Sequence, residues 1–119
     1  MSAATGQVWR AGEGDVSLVP LSAVARGDFV LGRARGHMAW LLVLQKVTLA
    51  RREPVPMHSV FGANLLTGAD ILWNGEVVKV ETISPSVLVR APFVCHLAVG
   101  EAHAFVMIDN VLVSALRGM

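Results

Sequence analysis

Apolar and polar positions along this chain switch at short intervals, and the switching favours strands over helices. Residues 7–10 and 16–19 each read as a short strand. Between them, Ala11-Gly12-Glu13-Gly14-Asp15 is turn chemistry, since glycine takes positive φ without a steric cost. Pro20 removes a ladder donor and closes the second strand. Leu21-Ser22-Ala23-Val24-Ala25 suits a single helical turn before the corner Arg26-Gly27-Asp28, and residues 29–31 open a further strand. Residues 37–50 fit two patterns. Ala39, Leu41, Leu42 and Leu44 suit a helix, whereas Val43, Val47, Thr48 and the length of the apolar run suit a long bent strand. Arg51-Arg52-Glu53 reads as a solvated loop, and Pro54 and Pro56 predict an extended or edge segment after it.

The sharpest local signal is Asn74-Gly75 between the apolar runs 71–73 and 76–80. A two-residue hairpin of type I′ needs positive φ at both central positions, which Asn and Gly tolerate best. Ser84-Pro85-Ser86 predicts another turn. Strands are then expected over 93–99, 103–108 and 111–116, with turns at Gly100-Glu101 and Asp109-Asn110. No repeat, linker or low-complexity stretch interrupts this rhythm. The expectation is an all-β fold of many short strands, one domain over residues 1–119.

Composition supports the pattern. The chain has 19 valines against three isoleucines and no tyrosine. Valine is stiff at χ1 and suits a pleated, half-buried surface. Hydrophobic residues make up 54% of the chain and charged residues 16%, which is too apolar for a disordered tail. Ten Lys and Arg stand against nine Asp and Glu, and no like-charge run is longer than Arg51-Arg52. The electrostatic footprint of a nucleic-acid binder is therefore missing. A single cysteine, Cys95, excludes an internal disulfide and a Cys-rich zinc site, and the four histidines lack metal-ligand spacing. No metal or cofactor is expected. The first residues have no basic start followed by an apolar stretch, and the window 37–50 is too short to span a bilayer. The expected setting is soluble and intracellular, in the cytoplasm, with no membrane contact and a protein as the expected kind of partner.

Three stretches carry a family resemblance. The first is Val19-Pro20-Leu21-Ser22-Ala23-Val24-Ala25-Arg26-Gly27-Asp28-Phe29-Val30-Leu31. The second is Leu66-Thr67-Gly68-Ala69-Asp70-Ile71-Leu72-Trp73-Asn74-Gly75-Glu76-Val77-Val78-Lys79-Val80. The third runs from Val94-Cys95-His96-Leu97 through His103-Ala104-Phe105 to Val111-Leu112-Val113. In order and spacing they resemble the Hint module, the self-cleaving domain shared by inteins and hedgehog proteins. The close, Val111-Leu112-Val113-Ser114-Ala115-Leu116-Arg117-Gly118, is similar to the end of its Vint subgroup. The resemblance implies a compact, horseshoe-like set of strands.

It also implies a site. In the family a Cys or Ser at the first position attacks the preceding peptide carbonyl, helped by a Thr and a His spaced Thr-x-x-His. A later His-Asn pair releases the other end where splicing occurs. An amide is a poor electrophile, so such a site must supply orientation, a proton for the leaving amine and donors for the oxyanion. Here Ser2 is the nearest nucleophile, and loss of Met1 would leave it no upstream peptide to cleave. Thr67 stands at the Thr position, but Asp70 stands where the His belongs. An Asp cannot serve as imidazolium, its ordinary pKa being near 4 and not 6.5. The His-Asn positions read Ser114-Ala115, the Vint cysteine is replaced by Val113, and His103 matches the family's later His. The implied reading is a pseudoenzyme, the fold kept as a scaffold or protein-binding module and the cleavage chemistry lost. Plainer readings stand beside it: residues 67–70 as a turn bonded to local backbone, and His103 as an ordinary core or surface histidine.

Two rivals remain. Gly27-Asp28-Phe29-Val30 followed by Gly36-His37-Met38-Ala39-Trp40 resembles the start of the H/NC and papain-like acyltransferases. That implies a cysteine hydrolase or acyltransferase using Cys95, with His37 or His58 as its base. Alternation puts Cys95 and His96 on opposite faces, so those two cannot pair, and Cys95 also reads as a small buried hydrophobe. The other rival is a plain all-β interaction module. Trp9, Trp40, Trp73, Phe61 and Phe93 would form its binding patch, or else fill the core.

Overall fold

A computed structural model describes residues 3–91 and 93–117, with side chains for 6–91 and 93–115. Ser2 lies outside the described residues. The described chain is all-β, and its strands are antiparallel apart from one short parallel pair. In order they are β1 (Ala3–Thr5), β2 (Gln7–Ala11), β3 (Val16–Pro20), β4 (Phe29–Ala34), β5 (His37–Ala50), β6 (Val55–Val60) and β7 (Ala63–Leu66). There follow β8 (Asp70–Trp73), β9 (Glu76–Lys79), β10 (Ser86–Val89), β11 (Phe93–Val99), β12 (Phe105–Ile108), β13 (Val111–Ser114) and β14 (Leu116–Arg117). Two single 3₁₀ turns, Leu21–Ala23 and Val80–Thr82, punctuate them. Among the described residues no helix is long and apolar enough to cross a membrane.

The strands follow one path, β10-β6-β7-β1-β11-β5-β4-β12-β13-β8-β9. β2 pairs with β4 and carries β3 on its other side, and β14 pairs with β11. Residues 37–50 are one strand of 14 residues, not a helix. Its first half pairs with β4, from Ala34↔His37 to Phe29↔Leu42, and its second half with β11, from Val99↔Val43 to Phe93↔Ala50. That long ladder satisfies the backbone on opposite edges in turn, and it suits Val43, Val47 and Thr48. β5 is thereby the strand through which the two ends of the sheet path are joined.

β1 is three residues long yet sits inside the path. Ala3 lies opposite Cys95 of β11 on one side and Leu65 of β7 on the other. The main core takes one inward residue from nearly every strand, among them Val8, Val30, Leu41, Leu65, Ile71 and Leu97. A small second cluster, Met57, Ala91 and Val94, fills the far end.

Several expectations need adjustment. Of the extended or edge segment expected around Pro56, the extended form is found, since β6 is a strand that runs between β10 and β7. Pro56 is tolerated because β7 pairing begins only at Met57↔Leu66, so the ladder on that side has no need of its missing N–H. The strand expected over 103–108 starts at Phe105, since His103 adopts φ 55° in the preceding turn. The strand expected over 111–116 breaks at Ala115, whose N–H bonds Ala104 O before β14 begins. The aromatics do not fill the core. Trp9, Trp40, Phe61 and Phe93 are exposed, and only Trp73 packs partly against it.

Candidate functional site

The candidate site gathers around the turn after β7. Leu66 O accepts a hydrogen bond from Ala69 N–H at 3.2 Å, with Gly68 at φ 92° in the third position. That is the type II arrangement, which needs glycine where φ is positive. The turn presents Thr67 to solvent, and its hydroxyl meets His58 Nε2 at 2.8 Å. His58 projects from β6, is 3% exposed, and is the one buried polar side chain among the described residues. Its Nδ1 lies 2.7 Å from the carbonyl oxygen of Ser84.

These two contacts fix the proton positions. A carbonyl only accepts, so Nδ1 must carry the hydrogen. In the neutral ring Nε2 is then the acceptor, and the Thr67 hydroxyl donates to it. The order hydroxyl, imidazole and orienting acceptor is the arrangement a general base requires. Sequence reasoning treated His58 only as a partner for Cys95. Nothing in its local pattern links it to a turn residue nine positions on, because the link depends on the β6–β7 pairing.

Further contacts brace the turn. Gly68 N–H donates to Glu81 Oε1 at 3.1 Å, and Ser84 Oγ–H donates to Ser59 O at 3.0 Å. The Glu81 carboxyl is held below its ordinary range by its own backbone N–H first and that of Gly68 second, with the charge of Lys79 adding to the effect.

The other sequence candidates do not join this cluster. Asp70 lies opposite Lys79 in the β8–β9 hairpin and pairs with its Nζ at 2.9 Å. The turn covers Leu66–Ala69 and Asp70 already begins β8, and the Thr67 and Asp70 side chains reach across strands to His58 and Lys79 and not to local backbone. His103 is exposed and lines an open depression of about 300 Å³ with Arg33, Arg35 and Phe105. Thr67 and Asp70 thus engage separate partners, His58 and Lys79, and His103 sits with Arg33 and Arg35. Ser114 and Ala115 stand at the end of β13.

Cys95 is buried, with its Sγ 3.9 Å from Thr48 Oγ1. His58 lies opposite Leu65, which lies opposite Ala3, which lies opposite Cys95. Three strand spacings, roughly 14 Å in all, separate the thiol's strand position from that of His58. His37 is farther, at the opposite end of β5 from Thr48. His96, on the other face of β11, has its pKa lowered, chiefly by burial, with nearby positive charge such as Arg51 adding the same sign. Among the described residues no group of three or more His, Cys, Asp or Glu side chains is arranged to hold a metal.

No protein-family model matches the chain, and no curated protein matches it.

Proposed function

We propose that the chain is a Hint-like domain that has lost self-cleavage and is retained as a scaffold or protein-binding module inside the cell. The observation that carries this reading is the fate of Asp70. The residue standing where the family has its His is an acid engaged with Lys79, and it supplies no imidazole to Thr67. Thr67 is itself committed to His58, whose Nδ1–H is committed to Ser84 O. A strand at the chain's start, held between β7 and β11, supports the Hint-like frame. β1 runs antiparallel to β7, so its N-terminal end lies toward the turn that holds Thr67. A self-cleaving relative needs that proximity. The pair Ser114-Ala115 offers no amide to cyclise at the other end.

The binding half of the proposal is supported by Trp9 and Trp40, which are exposed although tryptophan is highly buried on average. The cysteine-hydrolase reading lacks comparable support, with Cys95 buried and both candidate histidines distant along the sheet. The deciding experiment fuses the chain behind a test protein and follows intact mass with and without added thiol. A single uncut species is expected in both. Release of the fusion partner would overturn the proposal.

A further inference from the structure

Resting on the binding-module reading, we infer that the partner is a second copy of this chain, docked through the outward face of β3, β2, β4 and the first half of β5. Alternation divides these strands sharply. Val8, Val30, Leu41 and Val43 point inward and are at most 1% exposed. On the other face Trp9, Leu18, Phe29, Met38, Trp40 and Leu42 each keep between 37% and 48% of their surface in solvent. The register makes this a continuous patch. Trp9 lies opposite Leu18, Phe29 opposite Leu42, and Leu31 opposite Trp40. Ala11 joins the two groups, paired with Val16 on one side and Phe29 on the other.

The size and chemistry of the patch select its occupant. The exposed apolar area is on the order of 600 Å², at the upper limit of what monomers leave uncovered. With its rim it approaches the roughly 800 Å² per partner that a stable association buries. The one charged outward position on these strands is Arg33, at the margin opposite Met38. The face therefore offers no charge pattern with which to select an acidic or basic partner. Two copies related by a twofold axis bring no like charges together over its centre. Each sheet would meet its equal as a second layer about 10 Å away, the ordinary spacing of packed sheets. An apolar, charge-depleted centre with aromatic anchors is the composition of homodimer interfaces.

The test is the solution mass of the full chain over a dilution series, by sedimentation equilibrium or light scattering after size exclusion. A dimer mass is expected, falling toward the monomer on dilution. Trp40→Lys should give a monomer at every concentration with an unchanged far-ultraviolet spectrum. Leu88→Lys, on the exposed and remote β10, should leave the dimer intact. Should Trp40→Lys fail to fold, iodide quenching of the unaltered chain reads the same face, with tryptophan protection expected to rise with concentration. A monomer mass at all concentrations would overturn the inference. So would masses extending beyond two copies, concentration-independent quenching, or a dimer broken by Leu88→Lys and untouched by Trp40→Lys. The result is separable from the fusion assay. An uncut but monomeric chain sinks only the dimer, and a dimer that cleaves its fusion partner sinks only the loss of self-cleavage.

Discussion

The His58 imidazole shows how one side chain ties three segments together. Its two nitrogens connect β6 to the turn after β7 and to Ser84 before β10. With the ring 3% exposed, water has little access to replace a lost partner. Thr67→Val keeps shape but removes the hydroxyl, leaving Nε2 a buried acceptor with nothing to accept from. The expected loss is about 1–3 kcal/mol of unfolding free energy. Thr67→Ser restores the donor and should recover most of it. Urea titration of the three proteins checks this, and equal midpoints would show that the hydroxyl contributes nothing. The Hint-like resemblance singles out Thr67 and Asp70 as an expectation, and the turn that carries Thr67 was legible through Gly68. The His58 contact was not legible, because it depends on which strands pair. Strand pairing is a non-local property that no single stretch of residues encodes.

Among the elements, the hairpins separate what local chemistry reveals from what it conceals. Asn74 and Gly75 take φ of 51° and 82° between the paired residues Trp73 and Glu76, as their identity predicts. Arg35-Gly36 and Phe61-Gly62 make the same two-residue connection, with φ of 53° and 78° and of 46° and 93°. Neither announces itself, since Arg and Phe are uncommon at positive φ. The β6–β7 hairpin was therefore missed. In the second case, stacking of Phe61 on Trp73, with ring centroids 5.8 Å apart, accompanies the unfavourable backbone. β4 holds a different constraint. Gly32 is opposite Val106 of β12, and a Cβ there would collide with the carbonyl oxygen of Phe105 and with the Leu41 side chain. The carbonyl cannot rotate away without breaking the ladder. Gly32→Ala should cost about 1–3 kcal/mol through overpacking, whereas Gly36→Ala meets no atom within 4 Å and is penalised only through its φ of 78°. Thermal melts of the two variants test the distinction. It fails if Gly32→Ala melts with the unaltered protein.

At the scale of the molecule, the all-β class followed from the abundance of valine and the short switching of polarity, but the order of strands did not. The least conspicuous element, β1, occupies one of the more demanding places. Its three residues carry no apolar run, and the sequence reading began its first strand at residue 7, after β1 had ended. Yet β7 and β11, on either side of it, bury Leu65 and Leu97 completely. Their backbone groups on the facing edges need a ladder partner, and an unpaired buried peptide group is expensive. Removing residues 1–5 would open two inner edges at once. β14 covers β11 only at Ala98 and Val99, so the gap beside Cys95 would stay open. Bare edges of this kind recruit strands from other molecules. The shortened chain is thus expected to unfold at lower urea with reduced cooperativity and to scatter light at concentrations where the full chain stays clear. A peptide of residues 1–5 supplied in trans should reduce the scattering, and a scrambled peptide should not. If the shortened chain unfolds at the same midpoint as the full one, β1 is an ornament on a sheet that closes without it, and the support it lends to the Hint-like frame goes with it.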